Sequence, residues 1–351
     1  MLTKSASPAA TVRRTFGCDT QSSADKQGAA GASPNLLAHQ ASKLMKFIRV
    51  SPTAAVIFLA VTIALSSPAG ADEIFPSELV EFTPHQDNPL FAGTGADTWD
   101  RKIRERGWIV REDNQWHLWY TGYRGERADV KHLGYATSAD GIHWKRHPEN
   151  PIFDKSWVED VHVVKHDGTY YMVAEGLHDQ AHMLTSKDGV QWTSQGQLDV
   201  RLMDGSPLSA GPYGTPTLWI EGDTWYLFYE RRDQGVWLAK STDRKVWTNV
   251  RDEPVLEKGP ADYDKSAVAL NQVLKHGDHY YAVYHANGDP RWKAPWTTCL
   301  AVSDDLIHWK KFSKNPVIRS DNSSGQLVHD GKQWRLYTMH PDVRVFMPAS
   351  P

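Results

Sequence analysis

Cysteine is nearly missing from this chain: Cys18 and Cys299 are the only two among 351 residues. No disulfide framework and no Cys/His zinc spacing can be built from such a pair. An excess of basic charge is missing as well. Lys and Arg number 39 against 42 Asp and Glu, a formal net charge of −3, so a nucleic-acid partner is not expected. Long apolar runs are scarce. The best of them, Ala54–Leu65, falls short of the roughly 20 residues that cross a bilayer as a helix. What abounds is aromatic, with 15 Trp and 13 Tyr. Such large amphipathic rings suit sheet packing, and their flat faces suit sugar rings.

The apolar run sits in a recognisable frame. The basic segment Lys46-Phe47-Ile48-Arg49 precedes it, and Ser66-Ser67-Pro68-Ala69-Gly70-Ala71 follows. A basic start, a short apolar centre and an Ala-x-Ala site are the parts of a secretory signal peptide. Met45 stands directly before Lys46, so the expected start is Met45, with residues 1–44 an over-extended gene start. The alternative is a long leader before an uncleaved anchor. Residues 1–71 are thus read as leader and signal peptide, cleaved near Ala71. Residues 72–351 are read as one exported domain, periplasmic or secreted, without stable membrane insertion.

One pattern recurs five times along that domain. The copies are Trp108–Tyr120, His162–Ala174, Thr217–Tyr229, Gln272–Tyr284 and Gln326–Thr338. Each has a short apolar-biased stretch, a turn rich in Asp, Gly or Asn, and an aromatic-led alternating strand, which reads as a hairpin. A second pattern follows four of them, Ser138…Trp144, Ser186…Trp192, Ser241…Trp247 and Ser303…Trp309, and would join a third strand to a fourth. A third marker is Asn88-Pro89, Asn150-Pro151 and Asn315-Pro316, with Glu253-Pro254 a variant. Four-stranded units of this size cannot bury both faces alone, and radial packing solves the problem. The expected fold is all-β, a five-bladed β-propeller of four-stranded antiparallel blades. The segment Glu78–Pro84 is expected to supply the strand that the last unit lacks. A β-sandwich, the runner-up, would not call for five similar units in series.

In a propeller, residues just before each first strand and just after each second strand ring one mouth of the axial funnel. Five positions into the second strands, one column reads Thr121, Glu175, Glu230, His285 and Met339, and the next reads Gly122, Gly176, Arg231, Ala286 and His340. Before the first strands come Arg106, Asp160, Thr215, Leu270 and Ser324, with Glu105 and Glu159 beside them. His162, Tyr213, Asn271 and Gln272 lie around the same rim. Carboxylates facing each other across a pocket are what glycosidic cleavage needs, one protonated to serve the leaving oxygen and one ionised to activate water or attack carbon.

With the strings Asn150–Phe153, Glu159–Gly176 and Gly214–Glu230 in view, the chain over residues 85–347 resembles the five-bladed β-propeller glycoside hydrolases. That assembly includes glycoside hydrolase families 32, 43, 62, 117 and 130. The resemblance implies three acidic residues from the first three blades, acting as base or nucleophile, tuning aspartate and acid. Asp160, in Glu159-Asp160-Val161-His162, matches the second. For the first, Asp97, Asp100 and Glu105 all precede the first inner strand. Asp154 and Asp264 share the offset of Asp100 and each is followed by Lys, so that column also reads as a loop cap, which favours Glu105. The third departs from the family pattern, because Gly211–Thr217 has no carboxylate. Glu230 or Glu175 is the expected acid, and a histidine is another option. Substrate-binding candidates are His162, Tyr213, Arg231, Asn271, His285 and His340.

The expected activity is therefore a glycosidase acting on an oligo- or polysaccharide. The alternatives are a non-catalytic sugar-binding propeller and a phosphorylase using Arg231, Arg232 and His285 as an oxyanion clamp. No cofactor and no metal is demanded. His166, His276 and His329 fall in hairpin turns, and a structural calcium or sodium in the channel stays open.

Overall fold

The computed structural model describes residues 74–209 and 213–349. The expected leader, its cleavage site and the first two residues of the expected domain lie outside them. A short helix, α1 (Ser77–Val80), precedes the strand β1 (Phe82–Pro84). Blade one is β2 (Lys102–Glu112), β3 (Gln115–Tyr123), β4 (His132–Ser138) and β5 (Lys145–Arg146). Blade two is β6 (Glu159–His166), β7 (Thr169–Glu175), β8 (Ala181–Ser186) and β9 (Trp192–Gln197). Blade three holds β10 (Asp199–Arg201), β11 (Gly214–Glu221), β12 (Thr224–Glu230), β13 (Gly235–Ser241), β14 (Val246–Asn249) and β15 (Leu256–Glu257). Blade four is β16 (Ala267–His276), β17 (His279–Asn287), β18 (Thr297–Ser303) and β19 (Lys310–Lys311). Blade five is β20 (Gln326–His329), β21 (Trp334–Thr338) and β22 (Arg344–Pro348), with β1 paired antiparallel to β22.

Within each blade neighbouring strands are antiparallel, as the repeated hairpins predict. Blade three is the exception in size: β10 adds in parallel to β14, and β15 pairs with β13. The first strands touch in the cyclic order β2, β6, β11, β16, β20 and back to β2, which closes the ring. Five separate apolar cores fill the five gaps between blades, for instance Trp119, Val163 and Met172 between blades one and two. Each blade is thus half of two cores, which is why no single repeat is stable alone.

The repeated markers have structural reasons. The Ser138 hydroxyl accepts from the Gly141 amide at 2.9 Å while Asp140 accepts from the Ile142 and His143 amides, and Ser186–Asp188, Ser241–Asp243 and Ser303–Asp305 repeat the turn. The side-chain amides of Asn88, Asn150 and Asn315 exchange paired hydrogen bonds with the backbones of Val345, Tyr135 and Leu300. They extend the ladder where the chain itself leaves it. Gln272 and Gln326 do the same between blades, pairing with the backbones of Leu327 and Ile109. No helix among the described residues is long and apolar enough to cross a membrane.

Candidate active site

The first strands are irregular near their starts. Register breaks between Arg104 and Trp108, Glu159 and His162, Gly214 and Thr217, and Leu270 and Gln272. Inside these bulges Glu105, Asp160 and Thr215 have φ values of 53°, 47° and 43°, and Ser324 before β20 has 56°. Non-glycine residues rarely occupy this region, least of all a β-branched threonine. A bulge re-aims its side chain, and here Glu105, Asp160 and Thr215 all line one cavity of about 690 Å³.

Beneath that cavity, on the axis, lies Arg106. Its side chain is fully buried. The guanidinium donates to the Thr217 hydroxyl at 2.6 Å and to the backbone oxygens of Asp160, Pro216, Leu270 and Asn271, so one side chain ties blades one to four together. Its own backbone N–H donates to Asp160 Oδ1 at 2.9 Å. Burial lowers the Arg106 pKa to about 10, against the pull of Asp160 and Glu175.

Around this plug the carboxylates gather. Glu175 ends β7 and Glu230 ends β12, and a Cβ at Gly214 would collide with both carboxyl groups. That explains the glycine: the two acids close over its backbone. Glu175 Oε2 accepts from the Thr215 amide at 3.0 Å, and Glu230 accepts from the Asp233 amide. Asp233 and Asp179 also line the cavity. On the blade-one side Glu105 pairs with Arg104 and faces His340 Nδ1 at 3.5 Å, and Arg104 Nε pairs with Glu159 at 2.5 Å. His285 Nδ1–H donates to Asn271 Oδ1 at 2.8 Å.

These surroundings drive the carboxyl groups apart. Burial would raise Glu105, but the His340 ring and the Arg104 guanidinium hold it well below the usual glutamate range. Burial, then the charge of Glu105, raises Asp160 to about 6. Burial raises Asp233 to about 7, with Asp160 and Glu105 adding to it. Glu175 and Glu230 are pushed well above the usual range, again by burial first and by neighbouring acids second. His285 is lowered to about 4 by burial and stays neutral at neutral pH. Glu105 is thus held low while Glu175 and Glu230 are held high around one cavity, the pattern that separates acid from base.

Of the sequence candidates, the cavity brings together Glu105, Asp160, Glu175, Glu230, His285 and His340. Five others lie away from its lining. Asp100 is buried behind Tyr120 and Arg146, accepting from them at 3.1 and 2.9 Å. Asp264 repeats that arrangement against Lys311 at 2.5 Å, so the loop-cap reading of the column holds for both. His162 packs on Trp108, ring centroids 3.9 Å apart, inside the core. The Tyr213 hydroxyl donates to Leu198 O at 3.3 Å between blades two and three. Arg231 follows Glu230 on the alternating strand end, so it points outward and reaches Ser209; Arg232, one residue on, lines the cavity instead. Asn271 is fully buried and meets the cavity only through His285.

Sequence reasoning missed Asp179, Asp233, Arg127, Trp292 and Trp296, all on the lining. They sit in loops between second and third strands, outside the repeat register. The signal for the tryptophans was a break in that register: β17 ends at Asn287 and β18 begins only at Thr297. Among the described residues no three His, Cys, Asp or Glu side chains form a metal-holding group.

No protein-family model matches the chain. A curated relative, 1,2-beta-oligomannan phosphorylase of Thermoanaerobacter sp. (strain X514), is 27% identical over 222 residues, covering 58% of this chain and 71% of the relative. Among solved structures, a glycosyl hydrolase from Bacteroides ovatus superposes with a TM-score of 0.66 at 17% identity, over 79% of this chain and 95% of its own. A member of the GH130 family, described as mannoside phosphorylases that contain glycoside hydrolases targeting beta-1,2 mannosidic linkages, superposes with a TM-score of 0.62 at 18% identity, over 77% and 94%. The fold is that of the glycoside-active five-bladed propellers, and named sequence relatives such as the oligomannan phosphorylase are carbohydrate-active enzymes.

Proposed function

We propose that the protein is a glycoside hydrolase that cleaves an oligosaccharide in the axial cavity. The observation that carries this reading is the convergence of Glu105, Asp160, Glu175 and Glu230 from three blades on one cavity, with Glu105 held low by His340 and Arg104 and the Glu175–Glu230 pair pushed high by burial. Glu175 or Glu230 gives its proton to the glycosidic oxygen as the C–O bond breaks. Glu105 takes a proton from the water that attacks the anomeric carbon. Asp160, between them, keeps the acid protonated through its charge, a tuning role.

Water is favoured over phosphate as acceptor because of what surrounds the site. Arg104 is occupied by Glu105 and Glu159, and the ionised Glu105 on the lining opposes a dianion. Phosphorolysis is the second reading. The phosphorylase relative favours it, and Arg127 and Arg232 on the lining are its candidate anion ligands. That relative also makes beta-1,2-linked mannosides the first substrates to try. Incubating the purified domain with beta-1,2-mannobiose, with and without inorganic phosphate, separates the two. Free mannose in phosphate-free buffer supports hydrolysis; a strict phosphate requirement yielding a sugar phosphate overturns it. Export through residues 45–71 belongs to the same proposal, and N-terminal sequencing of the protein recovered from outside the cytoplasm tests it.

A further inference from the structure

The cavity has a second end, made of aromatic rings rather than acids. His285 lies on its floor at 8% exposure, bonded to the fully buried Asn271. Trp296 stands edge-on to His285, centroids 5.1 Å apart at 82°. Trp292 follows, its ring centroid 6.1 Å from that of Trp296. Trp292 is 50% exposed, whereas Glu230 is 5% and Asp160 7% exposed. This rise in exposure along one lining runs from the acids out to the mouth.

The loop that carries these rings is built to hold them. The Trp292 backbone has φ 54°, a conformation that tryptophan adopts only when its surroundings enforce it. The Trp292 amide donates to Asp289 O at 2.8 Å, the Asp289 amide to Asn287 Oδ1 at 2.8 Å, and the Asn287 side chain to Ala294 O at 2.8 Å. The Trp296 amide is held by Asp321 Oδ1 at 2.9 Å. Gly288 packs so closely on Asp262 O that no side chain fits there. A large apolar ring half in water, on an ordered strained loop, has no role in any of the five cores. It is preorganised for a flat ligand face.

We infer that Trp292, braced by Trp296, is a distal subsite that stacks on a sugar ring at least one residue beyond the bond being cleaved. This deepens the proposed function and rests on it: the substrate class becomes oligosaccharides of three or more rings. Rings in such a subsite bind by apolar contact with their C–H faces, while His285, neutral and tied through Nδ1, offers Nε2 to a hydroxyl nearer the acids.

The test uses the full domain carrying Glu175→Gln and Glu230→Gln together, so that ligand survives whichever of the two is the acid, and titration calorimetry with beta-1,2-mannotriose and beta-1,2-mannobiose as probes. Trp292→Ala should weaken trisaccharide binding about tenfold or more, and more than it weakens disaccharide binding, while Trp292→Tyr restores most of the loss. Equal affinity of Trp292→Ala and the parent for the trisaccharide overturns the subsite, as does equal weakening for both probes. Failure of the functional reading looks different. If the wild-type domain turns over no glycoside yet the Trp292-dependent trisaccharide binding persists, catalysis is lost from the account and the subsite stands.

Discussion

Two sets of acids in this molecule carry the same carboxyl group and are shifted in opposite directions. The outer turns repeat an aspartate four times, at Asp140, Asp188, Asp243 and Asp305. Each accepts two backbone amides and a serine hydroxyl. Amide hydrogen bonds lower Asp188 and Asp243, while at Asp140 and Asp305 burial, the largest single effect, is outweighed by a histidine and the amides together. At the hub, Asp160, Asp233, Glu175 and Glu230 lose water, face one another and rise. Repetition marks the turns as structural; convergence marks the hub as the candidate reactive centre.

The most forceful way to break the contrast is to remove a hub proton. Glu230→Gln and Glu175→Gln should lower turnover of the cleaved glycoside by about 10²–10⁴-fold in the variant that removes the acid, while ligand binding survives. Steady-state kinetics beside calorimetry checks this, and full activity in both variants rejects the assignment. Next in size is the axial plug. Arg106→Met strips the ring of its shared donor and leaves Asp160 without its cation, so denaturant unfolding should show a loss of about 3 kcal/mol or more.

A subtler variant sharpens the comparison through pH. The acid must be protonated, so turnover falls as pH rises through its elevated pKa. The charge of Asp160 raises both Glu175 and Glu230, and Asp160→Asn should therefore move the alkaline limb of the rate profile to lower pH. Stability should behave in opposite senses in the two regions. A carboxyl raised in the fold destabilises it above that pKa, so Glu230→Gln should raise Tm by about 2–4 °C at pH 8, with the gain shrinking as pH falls. A turn aspartate held low contributes stability above the ordinary aspartate range and loses it as pH falls. Asp188→Ala should cost about 1 kcal/mol at neutral pH, small because the turn is solvated, and leave the rate profile in place.

The same division explains what could be read from the sequence. Five hairpins, the Ser-x-Asp turns and the Asn-Pro markers are local patterns, so the blades were legible residue by residue. Ring order followed because no blade buries both faces alone. Glu175, Glu230 and His285 were legible since they hold one position in successive repeats. Arg231 was misassigned because strand alternation sends neighbours to opposite sides, and Tyr213 and His162 because a residue near the rim can still turn into an inter-blade core. Asp233, Trp292 and Trp296 escaped because they belong to loops that no repeat templates. The axial role of Arg106 was hidden for another reason: apart from the Thr217 hydroxyl its guanidinium partners are backbone carbonyls, which leave no trace in side-chain patterns.

The most direct test is a titration of the carboxyl groups themselves, by carbon-detected NMR of the domain labelled at Asp and Glu side-chain carbonyls. The account predicts two populations: Asp160 at about pH 6, Asp233 at about pH 7 and Glu175 and Glu230 well above the ordinary glutamate range, and Asp140, Asp188, Asp243 and Asp305 below the ordinary aspartate range. A single population with the hub acids ionising together with the turn acids would contradict it.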